Sequence, residues 1–312
     1  MAWRITFLIG CTGCGKGAVG RELARRIGAE IISVDSMKVY RRMDIATAKP
    51  TPAVQRGVRH HLLDVIEPWE EFSVGRFVQL AEDAVADIAS RGRPILAVGG
   101  TALYIKALSE GLFEGPSADP QIRDLLHRRA DSKGVAALHQ ELRRVDPEAA
   151  GRIHPNDLRR IVRALEVHRI TGTPISELQT QWDRQRTRHP CSLIGLRRER
   201  EDQNRRTNAR VKRMIERGLV EEVRSLLSLP QPLSTAARQA LGYAEIIEHL
   251  SGKVSLAEAV EMIKINTRRF AKAQRTWFKR FRETSWIDLV PETEVAEAVD
   301  RILQRRASLW PK

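Results

Sequence analysis

Hydrophobic and polar positions along the first hundred residues fall into two alternating patterns. Ile5 to Ile9, Ile31 to Val34 and Ile95 to Val98 are short, nearly unbroken apolar runs. Runs of this length without a polar alternation read as strands buried on both faces, as in parallel sheets. Between them lie stretches with helical spacing: residues 16–27, and residues 74–90, where positions 74, 77, 78, 81, 85 and 88 are apolar. Strand alternating with helix predicts an α/β fold on a parallel sheet.

The pattern changes at Gly115-Pro-Ser-Ala-Asp-Pro120, and strand signals vanish until Cys191-Ser-Leu-Ile-Gly-Leu196. Helices are expected over residues 119–130, 134–145 and 157–171, punctuated by Pro147, Pro155 and Gly172-Thr-Pro174. The expected organisation is a core split between residues 1–114 and 190–312, with an all-helical subdomain inserted at 115–189. Ser255-Leu-Ala-Glu258 spells a capping box. It opens a helix expected to reach about residue 283, with Leu256, Val260, Ile263, Phe270, Trp277 and Phe281 as its buried stripe. An amphipathic helix is expected within residues 290–312.

Between the first strand and the first helix stands Gly10-Cys-Thr-Gly-Cys-Gly-Lys-Gly17. Gly-x4-Gly-Lys is the spelling of a phosphate-binding loop, which makes the expected core P-loop NTPase-like. The spelling alone arises by chance in roughly one chain in ten of this length. Its place between a strand and a helix therefore carries the argument. Gly10, Gly13 and Gly15 let the backbone turn so that N–H groups of Cys11, Thr12 and Cys14 and the helix start aim at phosphate oxygens. Lys16 adds a mobile charge. The motif ordinarily ends in Ser or Thr, whose hydroxyl holds Mg²⁺, and here the residue is Gly17. Thr12 offers the loop's one hydroxyl.

Charge changes the picture next. The 312 residues carry a formal net charge of +14, which points to a polyanionic partner or a solvated basic surface. No apolar run approaches the roughly 20 residues of a membrane span. With the first strand beginning at residue 5, no cleavable leader is expected, and the cytoplasm is the expected compartment. Of three cysteines, Cys11 and Cys14 lie in the phosphate loop and Cys191 is alone, so all are expected to be reduced and structural.

Asp35 ends the second strand beside the phosphate loop, where open α/β sheets bind ligands; it could hold Mg²⁺, accept a proton, or cap the turn after it. The basic segment 41–50 reads as a loop flexible enough to close over a ligand. His60 and His61 with Asp64 could suggest a metal cluster, but adjacent side chains diverge on any regular element, which favours packing or hydrogen-bonding roles. Gly99-Gly100 allows close backbone approach, and Thr101 caps the next helix or touches substrate. Arg159, Arg160 and Arg163 share a helix face suited to a phosphate backbone or to pairing with Asp157 and Glu166. Arg206 and Arg210 lie one turn apart. Lys264, Arg268, Arg269, Lys272, Arg275, Lys279, Arg280 and Arg282 form a basic ridge, a plausible rail for RNA.

Six ordered blocks carry a resemblance. They are the phosphate loop; Asp35-Ser-Met-Lys-Val-Tyr-Arg-Arg-Met-Asp-Ile-Ala-Thr-Ala-Lys-Pro50 with His60-His-Leu-Leu-Asp64; Pro94-Ile-Leu-Ala-Val-Gly-Gly-Thr-Ala-Leu-Tyr104; Arg152-Ile-His-Pro-Asn-Asp-Leu-Arg-Arg-Ile-Val-Arg-Ala-Leu-Glu-Val167; Leu241-Gly-Tyr243; and Thr267-Arg-Arg-Phe-Ala-Lys-Ala-Gln-Arg-Thr-Trp-Phe278. Together they resemble the tRNA dimethylallyltransferase (tRNA isopentenyltransferase) family across nearly the whole chain. The resemblance implies transfer of a dimethylallyl group from its diphosphate to N6 of the tRNA adenosine on the 3′ side of the anticodon, with Mg²⁺, by a monomer. It implies catalytic roles for Lys16, Asp35, Thr101 and Arg210. It implies contacts to the tRNA anticodon stem-loop from Asp35, Ser36, Met37, Lys38, Thr101, Arg123, Arg159, Arg160, Ile161, Val162 and Arg163. The family carries apolar residues around Gln203, Asn204 and Thr207, where this chain is polar. Two other readings remain at this level: an ATP-dependent small-molecule kinase, and a catalytically dead RNA-binding relative.

Overall fold

The computed structural model describes residues 3–113, 115–179 and 188–305. The chain opens with β1 (Ile5–Gly10), α1 (Lys16–Ile27), β2 (Glu30–Val34), α2 (Pro52–Gly57), β3 (His60–His61), α3 (Val74–Ser90), β4 (Ile95–Gly99) and α4 (Ala102–Glu110). Helices α5 (Pro120–Lys133), α6 (Val135–Val145), α7 (Pro147–Arg152), α8 (Leu158–Thr171) and α9 (Ile175–Leu178) follow. The chain then adds β5 (Cys191–Arg198), α10 (Arg200–Glu216), α11 (Leu219–Leu227), α12 (Thr235–Arg238), α13 (Tyr243–Leu250), α14 (Leu256–Phe278), β6 (Ser285–Leu289) and α15 (Val295–Gln304). Two compact units result, one from Met1–Ser109 with Thr187–Lys312 and one from Glu110–Arg186.

In the first unit the six strands form one parallel sheet in the order β3-β2-β4-β1-β5-β6. β1 lies inside the sheet, and all six of its residues are buried, as its unbroken apolar run requires. On one face Leu8, Ile31, Leu96, Ile194 and Ile287 pack against Val19 and Leu23 of α1 and Val299 and Ile302 of α15. The order β2-β4-β1 sets three strand ends side by side: the Asp35 turn, Gly100-Thr101 and the phosphate loop. β2 and β4 approach so closely that a Cβ on Gly99 would fall 1.9 Å from the Val34 carbonyl oxygen, so only glycine fits there.

The segment 41–50, expected to be flexible, is pinned. Tyr40, Met43 and Ala46 are buried in a cluster with Leu219, Val223, Tyr243 and Ile263. Glu222 accepts the N–H groups of Asp44 (3.2 Å) and Ile45 (3.1 Å) and the Tyr243 hydroxyl (2.7 Å). The buried Lys49 ammonium donates to Tyr40 O (2.7 Å) and Asp64 (2.6 Å) and pairs with Asp44. Polar residues that read as a loop are here the fastenings of that loop.

The second unit is helical among its described residues, with a core of Leu126, Leu138, Leu142, Ile161, Val162 and Leu165. Three of these helices, α5, α7 and α8, begin at side-chain caps: Asp119 accepts from Gln121 and Ile122 N–H, Asp146 from Ala149 N–H and Asp157 from Arg160 N–H. Two strands escaped the sequence pattern, the two-residue β3 and the edge strand β6. α14 stops at Phe278 rather than near residue 283, and turns at 279–280 and 282–283 lead from it into β6.

Candidate active site

Three strand ends build the site within the first unit. Gly13 and Gly15 adopt φ of 82° and 95°, the left-handed conformation the phosphate loop was expected to need. Gly15 is the N-cap of α1 and has no side chain to cap it, so the first N–H groups of the helix stay directed at the loop's hollow. The Lys16 ammonium donates to Cys11 O at 3.3 Å, folded across the loop. Cys11 and Cys14 are buried and free, and burial raises the Cys11 pKa above the usual thiol value.

One turn of α10 after another supports this loop. Gln203 donates to Thr12 O (2.7 Å), Arg206 to Gly13 O (3.2 Å) and Arg210 to the Thr12 hydroxyl (3.1 Å), residues i, i+3 and i+7 of one face. The polar residues that depart from the family's pattern thus do work here: Gln203 and Thr207 are buried against the loop. Gln274 of α14 accepts the Thr12 N–H (2.8 Å) and donates to Gly100 O (2.9 Å), tying the ends of β1 and β4 together. Neither glutamine stood out in the sequence as a site residue.

The two oxygens of the Asp35 carboxylate differ. Its Oδ1 accepts the N–H groups of Met37 (2.9 Å) and Lys38 (3.3 Å), the turn cap weighed from sequence. Its Oδ2 has no hydrogen bond among the described residues. The Thr101 hydroxyl accepts the Ser36 N–H at 3.2 Å, joining the Asp35 turn to β4. Burial pulls the Lys38 ammonium down to about 8; Asp35 opposes this, and the charges of Lys16, Arg210 and Arg21 add to it. Burial likewise lowers the Arg210 guanidinium from its ordinary value, and Arg210 Nε is buried without a partner among the described residues. Four cations and one carboxylate therefore share a small volume. Such a place suits an anion of several charges.

Mg²⁺ needs oxygen ligands. Position 17 supplies none, and a Cβ built there would stand 3.5 Å from Arg21 Nη1. Among the described residues no three His, Cys, Asp or Glu side chains converge as a ligand set. One carboxylate amid four cations does not fit a protein-held Mg²⁺. Each of the paired histidines has a hydrogen-bond partner: His61 Nε2 lies 2.7 Å from Glu30 Oε2 and His60 Nδ1 lies 2.6 Å from Val58 O.

The arginines expected on RNA divide within the helical unit. Glu166 is fully buried and binds Arg123 (2.7 Å) and Arg163 (2.6 Å) while accepting the Asp119 N–H (2.8 Å). Those two arginines are first of all its structural partners. Ile161 and Val162 are 0% and 3% exposed, so their side chains belong to the core of the helical unit. Arg159 and Arg160 are exposed, the latter loosely paired with Asp157 at 3.4 Å.

On α14 the buried positions are Ala259, Ile263, Ala271, Gln274 and Phe278, while Phe270, expected in the stripe, is 46% exposed. Of the basic ridge, Arg275 bonds Gln203 (2.6 Å), Lys264 bonds Glu261 (2.5 Å) and Arg280 lies over Trp277 (4.7 Å). Arg269, Lys272, Lys279 and Arg280 are exposed.

The fold and this site define a class: a parallel α/β enzyme with a phosphate loop, a carboxylate at the adjoining strand end and a cationic cradle between them. Residues 38–281 match the family described as IPP transferase. The chain is 47% identical over 285 residues to the tRNA dimethylallyltransferase of Geobacter metallireducens, covering 91% of this chain and 92% of that one. It is 45% identical over 305 residues to the tRNA dimethylallyltransferase of Geobacillus thermodenitrificans, covering 97% and 96%. Among solved structures it resembles the tRNA isopentenylpyrophosphate transferase of Bacillus halodurans (TM-score 0.72, 38% identity, 98% of this chain and 96% of that one). It also resembles a eukaryotic dimethylallyltransferase captured acting on tRNA (TM-score 0.81, 26% identity, 98% and 78%). The chain belongs to the IPP transferase family.

Proposed function

We propose that the protein transfers the dimethylallyl group of dimethylallyl diphosphate to N6 of the tRNA adenosine on the 3′ side of the anticodon, in the cytoplasm. The observation that carries this reading is the free Oδ2 of Asp35, held one strand end away from a cationic phosphate loop. A kinase needs a terminal phosphate and a held metal; this site offers anion binding and a proton acceptor, with no hydroxyl at position 17.

The phosphate loop, Lys16 and Arg210 hold the diphosphate. As the allylic C–O bond breaks, its electron pair stays on the departing diphosphate, whose growing charge these groups stabilise. The N6 lone pair forms the new C–N bond. N6 becomes strongly acidic as it is alkylated, so a carboxylate suffices to take its proton, and Asp35 Oδ2 receives it. Thr101, bonded to the Ser36 N–H, fixes the Asp35 turn relative to β4. The base must leave the anticodon-loop stack to reach such a site. The exposed Arg159 and Arg160 of the helical unit and the exposed cations of α14 supply phosphate contacts for holding the RNA.

The test is a pair of incubations of the purified protein with unmodified tRNA, one with labelled dimethylallyl diphosphate and one with labelled ATP. Label moving to tRNA from the prenyl donor alone is the expected result. Transfer from ATP to a small acceptor would establish the kinase reading, and tRNA binding without any transfer would establish a dead relative.

A further inference from the structure

At the loop's metal position the sequence has removed a ligand and the fold has moved in a cation. Gly17 and Arg21 lie one turn apart on α1, and so on one helix face. Arg21 folds back over the glycine: its Nη1 stands 3.5 Å from the place a Cβ on Gly17 would take, at ordinary contact distance. Arg21 is half-buried and makes no hydrogen bond or ion pair among the described residues. The acid next to it in the chain, Glu22, is committed to Arg25 (2.8 Å) and Arg26 (2.7 Å). A guanidinium withdrawn from water without a partner is costly unless an anion arrives. Its charge also helps to lower the Lys38 ammonium in the Asp35 turn and the imidazole of His60, the first residue of β3.

We propose that Arg21 is a diphosphate-binding residue that takes over the charge-neutralising task a metal ion performs when position 17 carries a hydroxyl. The inference rests on the prenyltransferase reading and deepens it. Lys16, Arg21, Lys38 and Arg210 against Asp35 leave three positive charges in excess. A prenyl diphosphate brings about three negative charges near neutral pH, so the protein alone balances the leaving group. A guanidinium also presents a planar fork of donors matched to phosphate oxygens, and it keeps its charge throughout the reaction.

The test is calorimetric binding of inorganic pyrophosphate to the full chain, in EDTA and in excess Mg²⁺, with prenyl transfer to tRNA measured on the same preparations. The wild type is expected to bind pyrophosphate in EDTA within a few-fold of its affinity in Mg²⁺. Arg21→Ala is expected to lose about tenfold to a hundredfold in EDTA, the range for a charge-assisted hydrogen bond. Its melting temperature should be unchanged or higher, since an unpaired half-buried cation has gone. Arg21→Lys should fall between the two. Gly17→Thr combined with Arg21→Ala should bind tightly again only with Mg²⁺, because the restored hydroxyl has a helical backbone and room to point into the site. Pyrophosphate binding by Arg21→Ala equal to wild type in EDTA, or wild-type binding that collapses without Mg²⁺, overturns the inference while leaving the enzyme's activity intact. Absence of prenyl transfer in the wild type overturns the prenyltransferase reading and the inference with it.

Discussion

The turn cap made by Asp35 and the proton-accepting role proposed for it fall on different oxygen atoms, which makes that role testable. Asparagine keeps an acceptor for the Met37 N–H, so the turn survives Asp35→Asn while the proton acceptor is lost. Turnover should fall by about a hundredfold or more, the range for a general base, with tRNA affinity kept within a few-fold. A matching loss of affinity in a filter-binding assay would make Asp35 a binding residue instead. Lys38 gives a pH dependence of known sign. Burial, with Lys16, Arg210 and Arg21 adding and Asp35 opposing, pulls its ammonium down to about 8. Its charge helps hold an anion, so pyrophosphate affinity should weaken as pH rises through about 8, and Lys38→Met should flatten that profile. Asp35 and Thr101 stood out in the sequence because each follows a strand end, and Lys16 because it opens α1 within a recognisable local spelling. Gln274 was not, because it reaches Thr12 across 262 positions from the middle of a helix. No local pattern marks a glutamine for that.

Elements show where periodicity informs and where it misleads. α3 buries Phe77, Val78, Ala81, Val85 and Ile88, as its apolar spacing required. α14 misled in part, because beside Ile263 and Phe278 it packs through two alanines and a glutamine, residues a hydrophobic count passes over, while Phe270 lies uncovered at the surface. β6 is a short edge strand, hidden behind the helical pattern that leads into it. In the helical unit the Glu166 carboxylate is held below the usual range: burial acts to raise it, and Arg123, Arg163 and the Asp119 N–H more than offset that. A folded pKa below the unfolded one stabilises above about 4.5 and loses that contribution as pH falls through the folded value. Glu166→Gln should therefore destabilise the protein by at most about 3 kcal/mol at pH 7, less near pH 3, because both arginines still reach water. Urea unfolding at the two pH values measures this. The strap between residues 41 and 50 depends on Glu222, whose pKa burial raises and whose partners include the Tyr243 hydroxyl. Tyr243→Phe should cost about 1–2 kcal/mol by leaving a buried carboxylate oxygen short of a donor. Limited proteolysis should then cut within 41–50 sooner than in wild type, and an unchanged pattern would show that apolar packing alone holds the strap.

At the scale of the whole molecule the net charge of +14 resolves into distinct duties. Some cations are internal fastenings, as Lys49, Arg123 and Arg163 are. Others crowd the glycine-rich loop and the Asp35 turn, and a third set remains exposed on α8 and α14. Composition pointed to a polyanionic partner or a solvated basic surface but not to this division, which only tertiary contacts reveal. The alternation of strand and helix was likewise enough to predict the parallel sheet, whereas its order, which brings Asp35, Thr101 and the phosphate loop together, came from the fold.

The most direct measurement is nucleoside analysis of unmodified tRNA after incubation with the protein and dimethylallyl diphosphate. The account predicts one new nucleoside, an adenosine bearing the dimethylallyl group on N6, located on the 3′ side of the anticodon and absent with Asp35→Asn. Unchanged adenosine in tRNA that the protein demonstrably binds, or a prenyl group on another atom, would contradict it.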